Sequence, residues 1–63
     1  MKYVYCVMEI ADYEYGCRVI ESVWASYEQA EAHIEDLGQI QVTFWDDSVE
    51  DLYIVETYEV QGI

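Results

Sequence analysis

In a chain of 63 residues, fourteen Asp and Glu stand against two Lys and Arg, for a formal net charge of -12. Nucleic acid and anionic membrane repel such a surface, so the natural partners are basic. Hydrophobic residues at 54% and aromatics at 16% exclude a disordered acidic tail, and the length allows one domain, residues 1–63, near the lower limit for a self-sufficient core.

Lys2 to Ala11 (KYVYCVMEIA) is rich in Val, Tyr and Ile and reads as a strand. Val4, Cys6, Met8 and Ile10 alternate onto one face, and Tyr3, Tyr5, Val7 and Glu9 onto the other. Both faces are largely apolar, which suits a central strand. Asp12 to Gly16 (DYEYG) is the turn, with Gly16 free to take positive φ. Cys17 to Ala25 (CRVIESVWA) returns as a second strand, with Ile20, Ser22 and Trp24 alternating against Val19, Glu21 and Val23. Neither set is clearly the core side. A hairpin turning near Glu14 sets Cys6 against a residue near Val23 and Cys17 against one near Ala11. The two cysteines are then not opposite each other, whereas a bridge needs Cα atoms within ~7 Å. Two free buried thiols in a reducing compartment are the expectation.

Ser26-Tyr27-Glu28-Gln29 fits a capping box that opens a helix. Tyr27, Ala30, Ile34 and Leu37 form its apolar stripe, and Gly38 stops it. His33, flanked by acidic positions, reads as a partly exposed helix residue paired with a neighbouring carboxylate. Ile40 to Trp45 (IQVTFW) is a third strand with Ile40, Val42 and Phe44 inward and Gln41, Thr43 and Trp45 outward. Asp46 to Asp51 (DDSVED) is an acidic connection with room for one helical turn begun by Ser48. Leu52 to Val60 (LYIVETYEV) is the fourth strand. The order ββαββ predicts an α+β fold: a four-stranded, mainly antiparallel sheet with one helix packed on one face.

Catalytic signals are missing. There is one His, no Ser–His or Cys–His constellation and no Gly-rich phosphate loop, and Lys2 and Arg18 alone hardly clamp a phosphate. The chain reads as a non-enzyme without cofactor. The Asp46–Asp51 loop lacks the alternating ligands and central Gly of an EF-hand, and His33 with two cysteines is too few for a zinc site, so no metal site is expected. With no run of about 18 apolar residues and no basic-then-apolar leader, the expectation is a soluble cytoplasmic protein that avoids membranes.

The charge pattern is what remains. Glu28, Glu31 and Glu35 lie at i, i+3 and i+7 and form one helix ridge, spaced about 4.5 and 6 Å along the axis. That imitates a row of phosphates in spacing as well as sign. Asp36 stands beside the ridge, and Asp46, Asp47, Glu50 and Asp51 crowd the last connection next to Trp45. Asp12 and Glu14 form a smaller group in the first turn. Like charges this close oppose folding by a few tenths of a kcal/mol per pair, in a domain with about 5 kcal/mol of stability. Twelve charges match ~20 Å of duplex DNA, against a span of roughly 25–30 Å for a compact chain of this length. Tyr13, Tyr15, Trp45 and Tyr53 add aromatic anchors near the acids.

These residues predict an acidic binding protein, a DNA mimic that occupies the cationic groove of a basic nucleic-acid-binding protein and does not bind nucleic acid itself. The contacts are Glu28, Glu31, Glu35, Asp36, Asp46, Asp47, Glu50 and Asp51, with Trp45 as an aromatic anchor. The alternative is an interaction module, a homodimer formed through a sheet face bearing Tyr3, Tyr5 and Trp24. A third reading gives the acidity to solubility, as in high-salt organisms. The segments K-Y-V-Y, S-Y-E-Q-A-E-A-H-I and Y-I-V-E-T-Y-E-V resemble, over most of the chain, those of short phage and bacterial proteins. In general character the chain resembles phage-encoded inhibitors: anti-CRISPR, anti-restriction and uracil-DNA glycosylase inhibitors. That resemblance implies inhibition of a bacterial defence or DNA/RNA-processing protein in the host cytoplasm.

Overall fold

The computed structural model describes residues 2–12 and 16–61. Its elements are β1 (Lys2–Ile10), β2 (Arg18–Trp24), α1 (Tyr27–Leu37), β3 (Gln41–Thr43), β4 (Val49–Asp51) and β5 (Tyr53–Val60). The α+β class, the antiparallel pairing and the single helix match expectation. The strand count differs. β2, β1 and β5 form a three-stranded sheet with β1 in the centre, and β3 and β4 form a separate two-stranded one. The acidic connection begins as a turn and then extends as β4, with no helical turn begun by Ser48. Asp46 Oδ1 accepts from the Ser48 backbone N–H at 3.1 Å and from its hydroxyl at 2.7 Å. An Asx turn of this kind competes with helix and suits a hairpin tip.

β1 is central because it alone is apolar on both sides. Its odd face carries Tyr5 and Val7 toward α1, where Val7, Ala30 and Ile34 form a buried cluster with Tyr5, Trp24, Tyr53 and Val55 around it. The serine half of the predicted box is present: Ser26 Oγ accepts from Gln29 N–H at 3.2 Å. Gly38, at φ 90°, donates its N–H to the Ile34 carbonyl. Of the predicted stripe, Ala30 and Ile34 are buried, while Tyr27 and Leu37 stay exposed at its rim. A second cluster of Ile10, Val42, Phe44 and Leu52 sits where the β3–β4 hairpin meets the end of the sheet. Ile40, expected inside with Val42 and Phe44, is exposed because the chain has not yet entered β3 there. It gives its carbonyl to Leu52 N–H instead.

β2 contains a bulge. Val7 pairs with Ser22 but Met8 pairs with Ile20, leaving Glu21 as the extra residue. The bulge reverses the alternation, so Ile20 lies on the face away from the helix while Ser22 and Trp24 lie on the face toward it. The residues expected on one side of this strand are therefore split between two. Cys6 pairs with Val23 and Cys17 bonds back to Ala11, as anticipated. Both thiols are free, but only Cys6 is buried; Cys17 is exposed. Gly16 takes φ 74°, and the predicted turn residues Tyr13, Glu14 and Tyr15 lie outside the described residues.

Candidate acidic interface

Each helical residue advances about 100° around the axis, so Glu28, Glu31 and Glu35 fall within an arc of about 60°. Of the three, Glu31 is the one on the side of α1 toward β5. Glu31 lines an open groove of about 280 Å³ with Tyr27, Gln39, Asp51, Tyr53 and Val55. The groove therefore joins one member of the helix ridge to one member of the last acidic connection. Tyr27 donates its hydroxyl to the Glu31 carboxylate, and that hydrogen bond, helped by the negative charge, holds the phenol above its ordinary range. Gln39 closes the far end: its Nε2 donates to the Tyr53 carbonyl at 2.7 Å and its Oε1 accepts from Tyr53 N–H at 2.9 Å. One side chain thus supplies the edge of β5 with both hydrogen bonds of a strand neighbour.

The other predicted contacts do not converge there. Asp36 projects from the outer side of α1, about 100° beyond Glu35. Asp46, Asp47 and Trp45 form the tip of the β3–β4 hairpin, where Trp45 is 81% exposed and Asp47 takes φ 69°. The Ser48 hydroxyl and backbone bonds hold the Asp46 carboxyl below its ordinary range. Glu50 turns aside to Arg18, whose Nη2 lies 3.4 Å from Oε1. Arg18 also donates to the Asp51 and Leu52 carbonyls at 2.8 and 3.1 Å and so ties β2 to the end of β4. Eight of the nine residues fall in three places, a helix-flank groove, a hairpin tip and an arginine tie, and Asp36 stands apart from all three.

On the opposite flank of α1, His33 Nε2 lies 2.8 Å from Glu21 Oε2 at the bulge, and its ring packs 4.9 Å from that of Trp24. Trp24 Nε1 donates to Ser22 Oγ at 2.8 Å. His33 does pair with a carboxylate, but one from β2 and not a helix neighbour. Tyr27 and Gln39 escaped the sequence reading: the first looked like core stripe, and nothing local marks the second as a strand surrogate. Among the described residues no three His, Cys, Asp or Glu side chains gather as metal ligands, and no helix is long and apolar enough to cross a membrane. No protein-family model, curated protein or solved structure matches the chain.

Proposed function

We propose that this chain is an acidic binding protein that inhibits a basic nucleic-acid-binding protein by occupying its cationic groove in place of DNA or RNA. The observation that carries this reading is the helix flank: Glu28, Glu31 and Glu35 in a row, with Asp51 across a groove walled by Tyr27 and Tyr53. Two carboxylates and two aromatic faces are what an arginine or lysine side chain seeks, through charge-assisted hydrogen bonds and cation–π contact. The ridge then meets further cations at phosphate-like intervals. The hairpin tip, with exposed Trp45 beside two aspartates, offers a second and separate contact.

The placement of charge supports binding over mere solubility. Glu35 and Asp36 sit in or next to the last turn of α1, which has no basic residue. There the helix dipole disfavours carboxylates by typically 0.3–1 kcal/mol each. A chain that needed only solubility has more favourable sites for them. The role is a binding one without chemistry or cofactor, played in the host cytoplasm if the chain is phage-borne.

The test is affinity capture from bacterial lysate at low and high salt, followed by assay of the captured protein. The expected result is a DNA- or RNA-processing protein that salt releases and whose activity falls when the chain is added. A variant combining Glu28→Gln, Glu31→Gln, Glu35→Gln and Asp51→Asn should lose that inhibition by more than tenfold. Undiminished inhibition by this variant would remove the helix flank as the contact.

A further inference from the structure

Among the described residues, the sheet face opposite the helix is covered only at its Ile10 end. By strand pairing, Val4, Cys6 and Met8 of β1 share this face with Tyr58, Glu56 and Ile54 of β5 and with Val23 and Ile20 of β2. Cys6 and Met8 are buried in the centre by these neighbours, but Ile20 is 58% exposed, Val23 55% and Tyr58 46%. The β3–β4 hairpin covers only the Ile10 end.

The charges on this face differ from those on the rest of the molecule. Lys2 pairs with Val60 and lies on the open stretch, while Arg18 pairs with Ile10 on the same side but at the covered end, where its side chain is 13% exposed and bonded to the Asp51 and Leu52 carbonyls. The two basic residues of the chain are therefore here. Against them stand Glu56, which accepts from the Tyr58 hydroxyl, and Glu50, which pairs with Arg18. Two positive and two negative charges cancel. Glu9, Glu59 and the helix carboxylates belong to the other side.

We propose that the open face is a homodimer interface, in which two copies stack sheet to sheet about a two-fold axis. Charge decides the occupant. A basic partner is drawn to the helix flank and finds Lys2 against it here. A second copy approaching any acidic surface sets carboxylate against carboxylate, whereas at this face the local charges balance. Shape agrees. Three strands at ~4.8 Å spacing and about seven residues at ~3.3 Å make a strip about 14 by 23 Å, and a flat strip is its own complement under two-fold rotation. A contact of that footprint, about 320 Å² per copy, belongs to the small, reversible class.

This inference stands apart from the inhibitor reading, and salt separates them by sign. Contact with a cationic groove weakens as salt rises. Self-association of two chains of charge -12 strengthens, because screening removes long-range repulsion and leaves the apolar contact. Sedimentation equilibrium under reducing conditions, which keep the exposed Cys17 from cross-linking copies, is the measurement. The expected result is a species approaching twice 7.4 kDa at high protein concentration, with association tighter at high salt than at low. Ile20→Thr with Val23→Thr keeps strand-forming residues at two exposed positions. It should weaken the dimer more than tenfold with an unchanged circular dichroism spectrum, while Trp45→Ser should leave association intact. The proposal is overturned by a chain monomeric to about 1 mM at both salts, by association that salt weakens, or by a dimer that survives the Thr pair.

Discussion

Ile10 and Val7 are the largest fully buried side chains, and they belong to different clusters. Ile10→Ala should therefore cost about 2–5 kcal/mol, nearly the whole stability of so small a domain. Denaturant unfolding would show the midpoint collapse. Ser26→Ala removes the acceptor for Gln29 N–H and should cost about 1 kcal/mol. Glu21 offers a pH test. The Ser22 hydroxyl first, and then His33, hold its carboxyl below the ordinary range. A carboxyl depressed on folding adds stability that is present above its unfolded pKa and is lost as pH falls through the folded value. The stability difference between wild type and Glu21→Gln should thus be present at neutral pH and fade on acidification; a difference constant down to the acid limb would contradict the pairing. Ser26 and Gly38 were legible as residues because capping chemistry is local. Glu21 was not, because its partner lies twelve positions away on another element.

At the scale of elements, α1 carries its charge in two opposed settings. Glu28 in the first turn favours the helix dipole, whereas Glu35 and Asp36 at the other end oppose it. Glu35→Gln with Asp36→Asn should raise stability by about 0.5–2 kcal/mol, and Glu28→Gln should lower it slightly. Thermal unfolding would resolve the two signs, and a loss of stability in the double variant would count against this account. Strand identity was legible in β1 from its two apolar faces and in α1 from its caps and stripe. The bulge in β2 was hidden, since an extra residue leaves no mark on composition yet exchanges the faces of everything beyond it. β4 was missed for a different reason: Val49–Asp51 is exposed throughout, so it lacks any apolar alternation and is a strand only because β3 pairs with it.

For the whole molecule, the acids were countable in the sequence but their common face was not. The fold brings the helix ridge to Asp51 and sends Asp46 and Asp47 to the far tip. It is also longer than a compact chain, at 42 × 25 × 14 Å. β4 and β5 run almost without break from Val49 to Val60, and twelve extended residues cover about 40 Å. The charge is therefore spread thinly along one axis instead of over a sphere. Self-repulsion should still dominate the salt response. Raising ionic strength from about 0.01 to 0.15 M shortens screening from about 30 to about 8 Å. At a concentration where the chain is monomeric, Tm should rise, by about 4–8 °C for each kcal/mol relieved. A flat or falling Tm would show that the carboxylates scarcely feel one another.

The pairing of β1 with β5 has a further consequence, for the order in which the molecule assembles. The central strand is made first and its second neighbour last, with Lys2 against Val60 and Glu9 against Tyr53. Hairpin β1–β2 and helix α1 can form from contacts near in sequence, but the sheet closes only across the longest loop the chain permits. Such non-local pairing slows folding. During synthesis the edge of β1 waits for its last neighbour, and a ribosome stalled before Tyr53 holds a strand with one side open. The slow step belongs to the register of β5 on β1.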